Sequence, residues 1–247
     1  MNVFLTAEWR NLINLTYEID PDLLKDYLPD NIEPDILPNG KAHVSLVAFD
    51  FLDTRVKGLK IPFHINFPEI NLRCYVKYKG QIGVVFIKEF VPKHCIALVA
   101  NKIYNEPYFS IPMKSTLQFF NDEKMTSRHE FSVSGIPYDI EATTEMIAIE
   151  HEKTSFEHYF KEHSWGFGKS HSGKTLCYFV DHSVWRTYPL LDYKLNIDFA
   201  AIYGNKWAIL NEVEPTYKMM AEGSNVKVFN AITLQEMEKI SFNKEEK

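Results

Sequence analysis

Apolar and hydrogen-bonding side chains alternate through Phe67-Pro68-Glu69-Ile70-Asn71-Leu72-Arg73-Cys74-Tyr75-Val76. A period of two is the signature of an extended strand, whose successive side chains point to opposite faces. One face carries Ile70, Leu72, Cys74 and Val76. The other carries Glu69, Asn71, Arg73 and Tyr75. Alternation alone fits either a strand with its polar face in water or the polar floor of a pocket.

The same pattern predicts strands over 41–53, 70–79 and 82–90, the last two joined through Tyr78-Lys79-Gly80-Gln81 as a hairpin. Further strands are expected over 115–121, 127–133 and 138–149, the latter two flanking Gly135-Ile136-Pro137, and again from Thr175 to the region of Val228. Helical spacing is rarer. Asp20 reads as the N-cap of a short helix with Pro21 at its first position, ending at Pro29. Ile96, Val99, Ala100 and Ile103 predict a helix over 96–104, ending before Pro107. Ser155 to His163 reads as a third helix, with Thr154 as its cap. The expected fold class is α+β, mainly β: antiparallel strands curled into a barrel or two packed sheets, with a few helices outside. No linker divides the chain, so one domain is expected over 1–240, with 241–247 a frayed charged tail.

Composition narrows the function. Of 247 residues 45% are hydrophobic and 24% charged, ordinary for a globular protein. Eighteen Phe and 13 Tyr favour β structure. Net charge is −6 with no basic stripe, which argues against a nucleic-acid partner. Cys74, Cys95 and Cys177 are widely spaced and form no CxxC pair, so neither a zinc site nor a disulfide framework is expected. His43, His64 and His94 show no metal-ligand spacing, and no cofactor is expected. No run approaches the ~18 apolar residues of a membrane span, and the N-terminus does not read as a secretory signal. The expected location is cytoplasmic.

Gly168-Lys-Ser-His-Ser-Gly173-Lys174-Thr175 matches the phosphate-binding pattern G-x-x-x-x-G-K-T. That pattern works only between a strand and a helix N-terminus. Here a helix end precedes it and a strand-like run, Leu176 to Val180, follows, so the segment reads as a connection. His163-Ser164-Trp165-Gly166 reads either as a pocket wall or, preferentially, as a helix end packed by Trp165 and capped by Gly166. His182, beside Asp181, reads as structural. Glu222 reads as part of a surface turn.

Three segments together resemble a known family. Leu28-Pro29-Asp30-Asn31-Ile32-Glu33-Pro34-Asp35 is similar to the Leu/Ile-Glu-x-Asp segment of acetoacetate decarboxylases. Glu69 falls where that family has an active-site glutamate, on the strand leading into Tyr78–Gly83. Arg10 falls where it has an active-site arginine, and Pro107 where a proline precedes two lysines. The likeness spans roughly 8–115. The whole chain more closely resembles a relative of that family, the YqjF-like domain of unknown function, through Glu69-x-Asn71-x-Arg73-x-Tyr75-Val76 and His163–Gly166. The departure is chemical. Tyr108 and Phe109 stand where the decarboxylases have their paired lysines, the first of which forms a Schiff base. Lys114 is too far along to match, and Val47 stands near another acidic position of the family.

The resemblance implies a cone-shaped antiparallel β barrel with a closed end, its lumen facing Glu69, Asn71, Arg73 and Tyr75. It implies a small-molecule anion, a carboxylate or keto acid, held by Arg10 and Arg73. Glu69 would orient an arginine or act as acid/base, and Tyr108 would donate a proton. A non-catalytic binder or sensor would need the same arginines and no acid/base group. A structural protein would hold Glu69 and Arg73 as a locked pair. A homo-oligomer formed through a sheet edge is compatible with all three.

Overall fold

The computed structural model describes residues 1–96, 101, 105–120 and 122–245, with side chains to residue 240, and among the described residues the alternating segment is the fourth of fifteen strands. The helix expected over 96–104 lies mostly outside the described residues. The chain runs β1 (Val3–Ile19), β2 (Glu33–Pro34), β3 (Ala42–Val56), β4 (Phe67–Tyr78), β5 (Gln81–Val91) and β6 (Tyr108–Ser110). Next come β7 (Met113–Phe120), β8 (Lys124–Val133), β9 (Ile136–Glu145) and helix α1 (Phe156–Lys161). β10 (Trp165–Lys169), β11 (Thr175–His182), β12 (Thr187–Tyr188) and β13 (Leu190–Asn196) follow. Helix α2 (Phe199–Tyr203), a 3-10 helix over Asn205–Asn211, β14 (Tyr217–Phe229), β15 (Ile232–Thr233) and helix α3 (Leu234–Glu245) complete it.

The main sheet is ordered β14-β1-β3-β4-β5-β10-β11, and β11 pairs again with β14 through Val180–Val228. The path of strands therefore returns to its start. Its pairings are antiparallel except where β5 meets β10 and β6. A second sheet, β13-β9-β8-β7, lies outside.

Each barrel strand has two apolar environments to satisfy. The outward residues Ile70, Leu72, Cys74 and Val76 join one core cluster with Phe199, Ile202, Trp207 and Leu210, and with Phe131 and Ile140 of the second sheet. The inward residues Leu12, Val47, Phe49, Phe51, Phe67 and Val180 form a separate cluster. β bulges switch which residues point inward. On β1 the pairing with β3 slips between Arg10 and Ile13, at Asn11, whose φ is 56°. Trp9 lines the lumen before this bulge and Leu12 after it. On β5 the register slips between the partners of Leu72 and Arg73. Val84 and Phe86 are inward before the slip, Glu89 and Val91 after it.

Three sequence expectations need correction. Residues 199–211 are helical inside the stretch expected to be all strand. Phe199, Ile202, Tyr203, Trp207 and Leu210 recur at helical spacing, and this apolar face covers the barrel. Residues 234–245 form α3, a helix not expected after the last strand, and it starts from a reciprocal Thr233–Glu236 capping box. The Asp20-capped helix is a 3-10 helix over Pro21–Leu24. The G-x-x-x-x-G-K-T segment is the hairpin between β10 and β11, with Ser170 Oγ accepting from the Lys174 amide, so no helix N-terminus follows it.

Gly223, opposite Arg10 in β14, has φ 81°, and a side-chain carbon there would overlap the Trp9 carbonyl and sit 2.8 Å from Leu12 Cδ1. Both the positive φ and the backbone contact exclude other residues. Gly223→Ala is expected to lower unfolding stability by more than about 2 kcal/mol, read from urea denaturation.

Candidate functional site

Inward side chains of β1, β3, β4, β5, β10 and β11 enclose a cavity of about 310 Å³. Its polar groups sit on adjoining strands. Asn71 on β4 is the register partner of Glu89 on β5, which is the partner of Tyr108 on β6. Glu69 lies two residues before Asn71, and Glu106 two before Tyr108, so the five occupy neighbouring inward positions.

α1 closes this end. Ser155 caps the helix, and buried Phe160 packs against Tyr75 at 5.0 Å between ring centroids. The Phe160 carbonyl accepts from Asn14 Nδ2 at 3.4 Å, Arg73 at 3.3 Å and the Tyr75 hydroxyl at 3.3 Å. It is one of the terminal helix carbonyls left without an intrahelical partner. Ser45 and Thr16 continue the chain, with Ser45 2.5 Å from Tyr75 and 2.6 Å from Thr16.

Glu69 is buried, with Asn71 Nδ2 donating to one oxygen at 2.9 Å and the Tyr108 hydroxyl to the other at 2.9 Å. Burial, opposed by these bonds and by Arg73, pushes the Glu69 carboxyl up to about 7. Burial and Glu69 push Glu106 up to about 8, against a hydrogen bond from Tyr178. Burial, Glu106 and Glu69 raise Glu89 well above the usual range, opposed by Tyr108 and Arg73. Burial and Arg73 lower His163 to about 3, so it is a neutral imidazole at the cavity wall.

Several buried polar atoms here lack partners among the described residues: Asn71 Oδ1, Arg73 Nε, Glu89 Oε2 and Glu106 Oε1. The described lining contains one arginine, Arg73, and no lysine. No group of three His, Cys, Asp or Glu among the described residues is arranged to hold a metal.

The sequence-derived candidates separate. Glu69, Asn71, Arg73 and Tyr108 come together at the cavity. Tyr75 lies behind it, in the Ser45–Phe160 chain. Arg10 is not brought to the cavity. It sits between inward Trp9 and the Asn11 bulge and pairs with Glu8 at 3.1 Å. Glu69 and Arg73 form no ion pair, since Asn71 and Tyr108 occupy the carboxylate and the Phe160 carbonyl takes the guanidinium. Lys114 pairs with Glu130 on the outer sheet. His182 stacks on Trp185 at 4.3 Å, away from the lining. Gly166 is no helix cap. It lies in β10, where a side chain would collide with the Tyr178 ring, and His163, Trp165 and Gly166 form cavity wall.

Sequence reading missed Glu89 and Glu106. Glu89 follows a bulge that breaks strict alternation, and Glu106 lies outside any periodic element.

Comparisons with known proteins agree with this architecture. The sequence model of DUF2071, described as an uncharacterized conserved protein, matches residues 6–225. The uncharacterized protein YqjF of Bacillus subtilis (strain 168) is 33% identical over 108 residues, covering 43% of this chain and 44% of that protein. The matched region thus spans less than half of this curated relative. Acetoacetate decarboxylase from Legionella pneumophila superposes with a TM-score of 0.63 at 18% identity, covering 95% of this chain and 90% of that one. The enduracididine biosynthesis enzyme MppR, in complex with pyruvate, gives a TM-score of 0.62 at 11% identity, with coverages of 95% and 91%. At these identities the likeness is one of fold: mainly β and acetoacetate decarboxylase-like.

The carboxyl cluster sets a pH dependence. Unfolded, each glutamate releases its proton near 4.5, whereas Glu69 and Glu106 retain theirs to about 7 and about 8 when folded. The folded state then binds more protons, and stability falls as pH rises across that window. Histidines 43, 129 and 163 have lowered pKa values and act in the opposite sense, but only up to the ordinary 6.5. Unfolding free energy from urea melts is therefore expected to decline between pH 7 and 8, and less steeply in Glu106→Gln. An unchanged slope in that variant would show that Glu106 is already ionised.

Proposed function

The chain belongs to the DUF2071 family of uncharacterised conserved proteins, and on that premise we propose that its barrel lumen binds a small keto acid or related carboxylate and acts on it by acid–base chemistry without a Schiff base. The observation that carries the reading is the set of unpaired buried atoms, Asn71 Oδ1, Arg73 Nε, Glu89 Oε2 and Glu106 Oε1, around one cavity. Buried polar groups are nearly always paired, so atoms left open at a cavity point to a ligand or to ordered water.

The roles follow from charge. Arg73 supplies the fixed positive charge for a carboxylate. Glu89 and Glu106, kept protonated by their surroundings, donate hydrogen bonds as neutral acids and do not repel the ligand. Glu69, titrating at about 7, is placed near the best value for a general base at neutral pH. Removal of a proton from the carbon beside the ketone would leave negative charge on the carbonyl oxygen, which Tyr108 or Glu89 would hydrogen-bond. Return of the proton to the carbonyl oxygen completes a tautomerisation to the enol, and return to the same carbon gives back the keto acid with its hydrogen exchanged with solvent. Tyr108 after Pro107, where the decarboxylases have a lysine, supports chemistry without an imine. The fold neighbour described in complex with pyruvate gives independent support for a keto acid.

One observation favours a second reading. Both Glu69 oxygens already accept hydrogen bonds, which suits a binder in which Glu69 only positions Asn71 and Tyr108. Deuterium exchange beside the ketone of 2-oxo acids, followed by proton NMR in D2O, separates the two. The enzyme reading expects catalysed exchange that Glu69→Gln slows about 10²–10⁴-fold. Binding without exchange selects the binder.

Binding itself is expected to raise Tm by roughly 5–10 °C at a hundred times Kd. Because Glu106 must stay protonated to face a bound carboxylate, Kd should weaken up to about tenfold per pH unit above about 8. Arg73→Leu should abolish the shift while the variant still melts cooperatively. A shift that survives this change would remove Arg73 from the anion site.

A further inference from the structure

We propose that the ligand of this cavity is an amphipathic acid, a 2-oxo or simple carboxylic acid whose body is an aromatic ring or an alkyl chain of several carbons, and not a three- or four-carbon metabolite. This rests on the reading above of a carboxylate held at Arg73.

The cavity wall is divided chemically. Its three glutamates, Arg73 and Tyr108 are gathered on β4, β5 and the segment that leads into β6. The wall from β1, β3 and the start of β4 is apolar and aromatic. Trp9 meets Phe49 edge-on at 5.3 Å and Phe51 at 5.5 Å, and Phe51 stacks on Phe67 at 4.8 Å. Leu5 and Val228 continue this surface, and the lining includes Ile61 and His64, which retain exposure to solvent. About 310 Å³ lies at the lower bound of sites that take drug-sized ligands. A three-carbon acid would satisfy the polar end and leave the aromatic wall facing empty space or water without hydrogen-bonding partners there. Filling that space removes apolar surface from water on both sides, and each buried methylene strengthens binding by about fourfold. The aromatic faces also accept ring edges, which suits an aryl group.

The test is titration calorimetry of the full chain with straight-chain 2-oxo acids from three to nine carbons, with phenylpyruvate, and with the matching methyl esters. The expected result is an affinity that climbs about fourfold per methylene and then levels off when the wall is covered. Phenylpyruvate should lie with the long acids, and the esters should bind far more weakly. Val228→Phe narrows the apolar end, and its levelling-off point should move to shorter chains. Cooperative melting at an unchanged Tm checks that this variant is folded. If short and long acids bind equally, the amphipathic ligand is overturned while the carboxylate site stands. If the esters bind as well as the acids and also show the chain-length gain, the apolar body stands and the carboxylate reading fails. If no probe binds, both fall.

Discussion

A single backbone oxygen, the carbonyl of Phe160, holds one end of this barrel shut. It sits in the last turn of a six-residue helix and accepts from Asn14 on β1 and from Arg73 and Tyr75 on β4. A helix this short has little stability of its own, so its position depends on what its terminal carbonyls and buried Phe160 ring contact. The bond to Arg73 also directs the guanidinium. One nitrogen is tied to the helix, while Nε is left open beside the cavity. The plug and the orientation of Arg73 are thus parts of one arrangement.

The consequence of burying polar groups at this end is a change in their charge. Three glutamates share the lumen with one arginine, and burial shifts all three carboxyls upward. In water such a cluster would carry nearly its full negative charge at neutral pH. In a cavity walled by Trp9, Phe49 and Phe51 burial favours the neutral acids over the anions. This changes the meaning of the residue count. Counting arginines against glutamates, as the sequence invites, treats every glutamate as an anion. Burial in the fold favours their neutral forms, and the charge of the lumen then depends on protons as much as on arginines.

How much could be read in advance differs by residue, and the cause is local geometry. Glu69, Asn71 and Arg73 were legible because β4 keeps strict alternation over the stretch that lines the cavity, with outward partners that are all apolar. Arg10 was placed by resemblance and faces the other way, because Trp9 takes the inward position beside the Asn11 bulge. Glu89 is hidden in Ile87-Lys88-Glu89-Phe90, where simple alternation carried through from Phe86 would point Lys88 and Phe90 inward. Glu106 belongs to no periodic element. The hairpin at Gly168–Thr175 was legible from its flanks. The helical segment 199–211 was visible in its spacing and was overlooked beside the dominant strand pattern.

The slip in β5 also bears on how this protein can change over time. Phe86 and Glu89, three residues apart, both face the lumen only because one extra residue is accommodated between them. Loss of that residue would preserve the composition of the strand and most of its pairing, yet would put its two halves in the same phase and exchange the acid for a neighbour. Point substitutions in β5 can be explored one at a time. Changes in its length cannot, because they alter every position beyond the slip together. The chemistry of the site is therefore bound to the length of one strand, and homologues that share this spacing are the ones in which the same carboxyl can be sought.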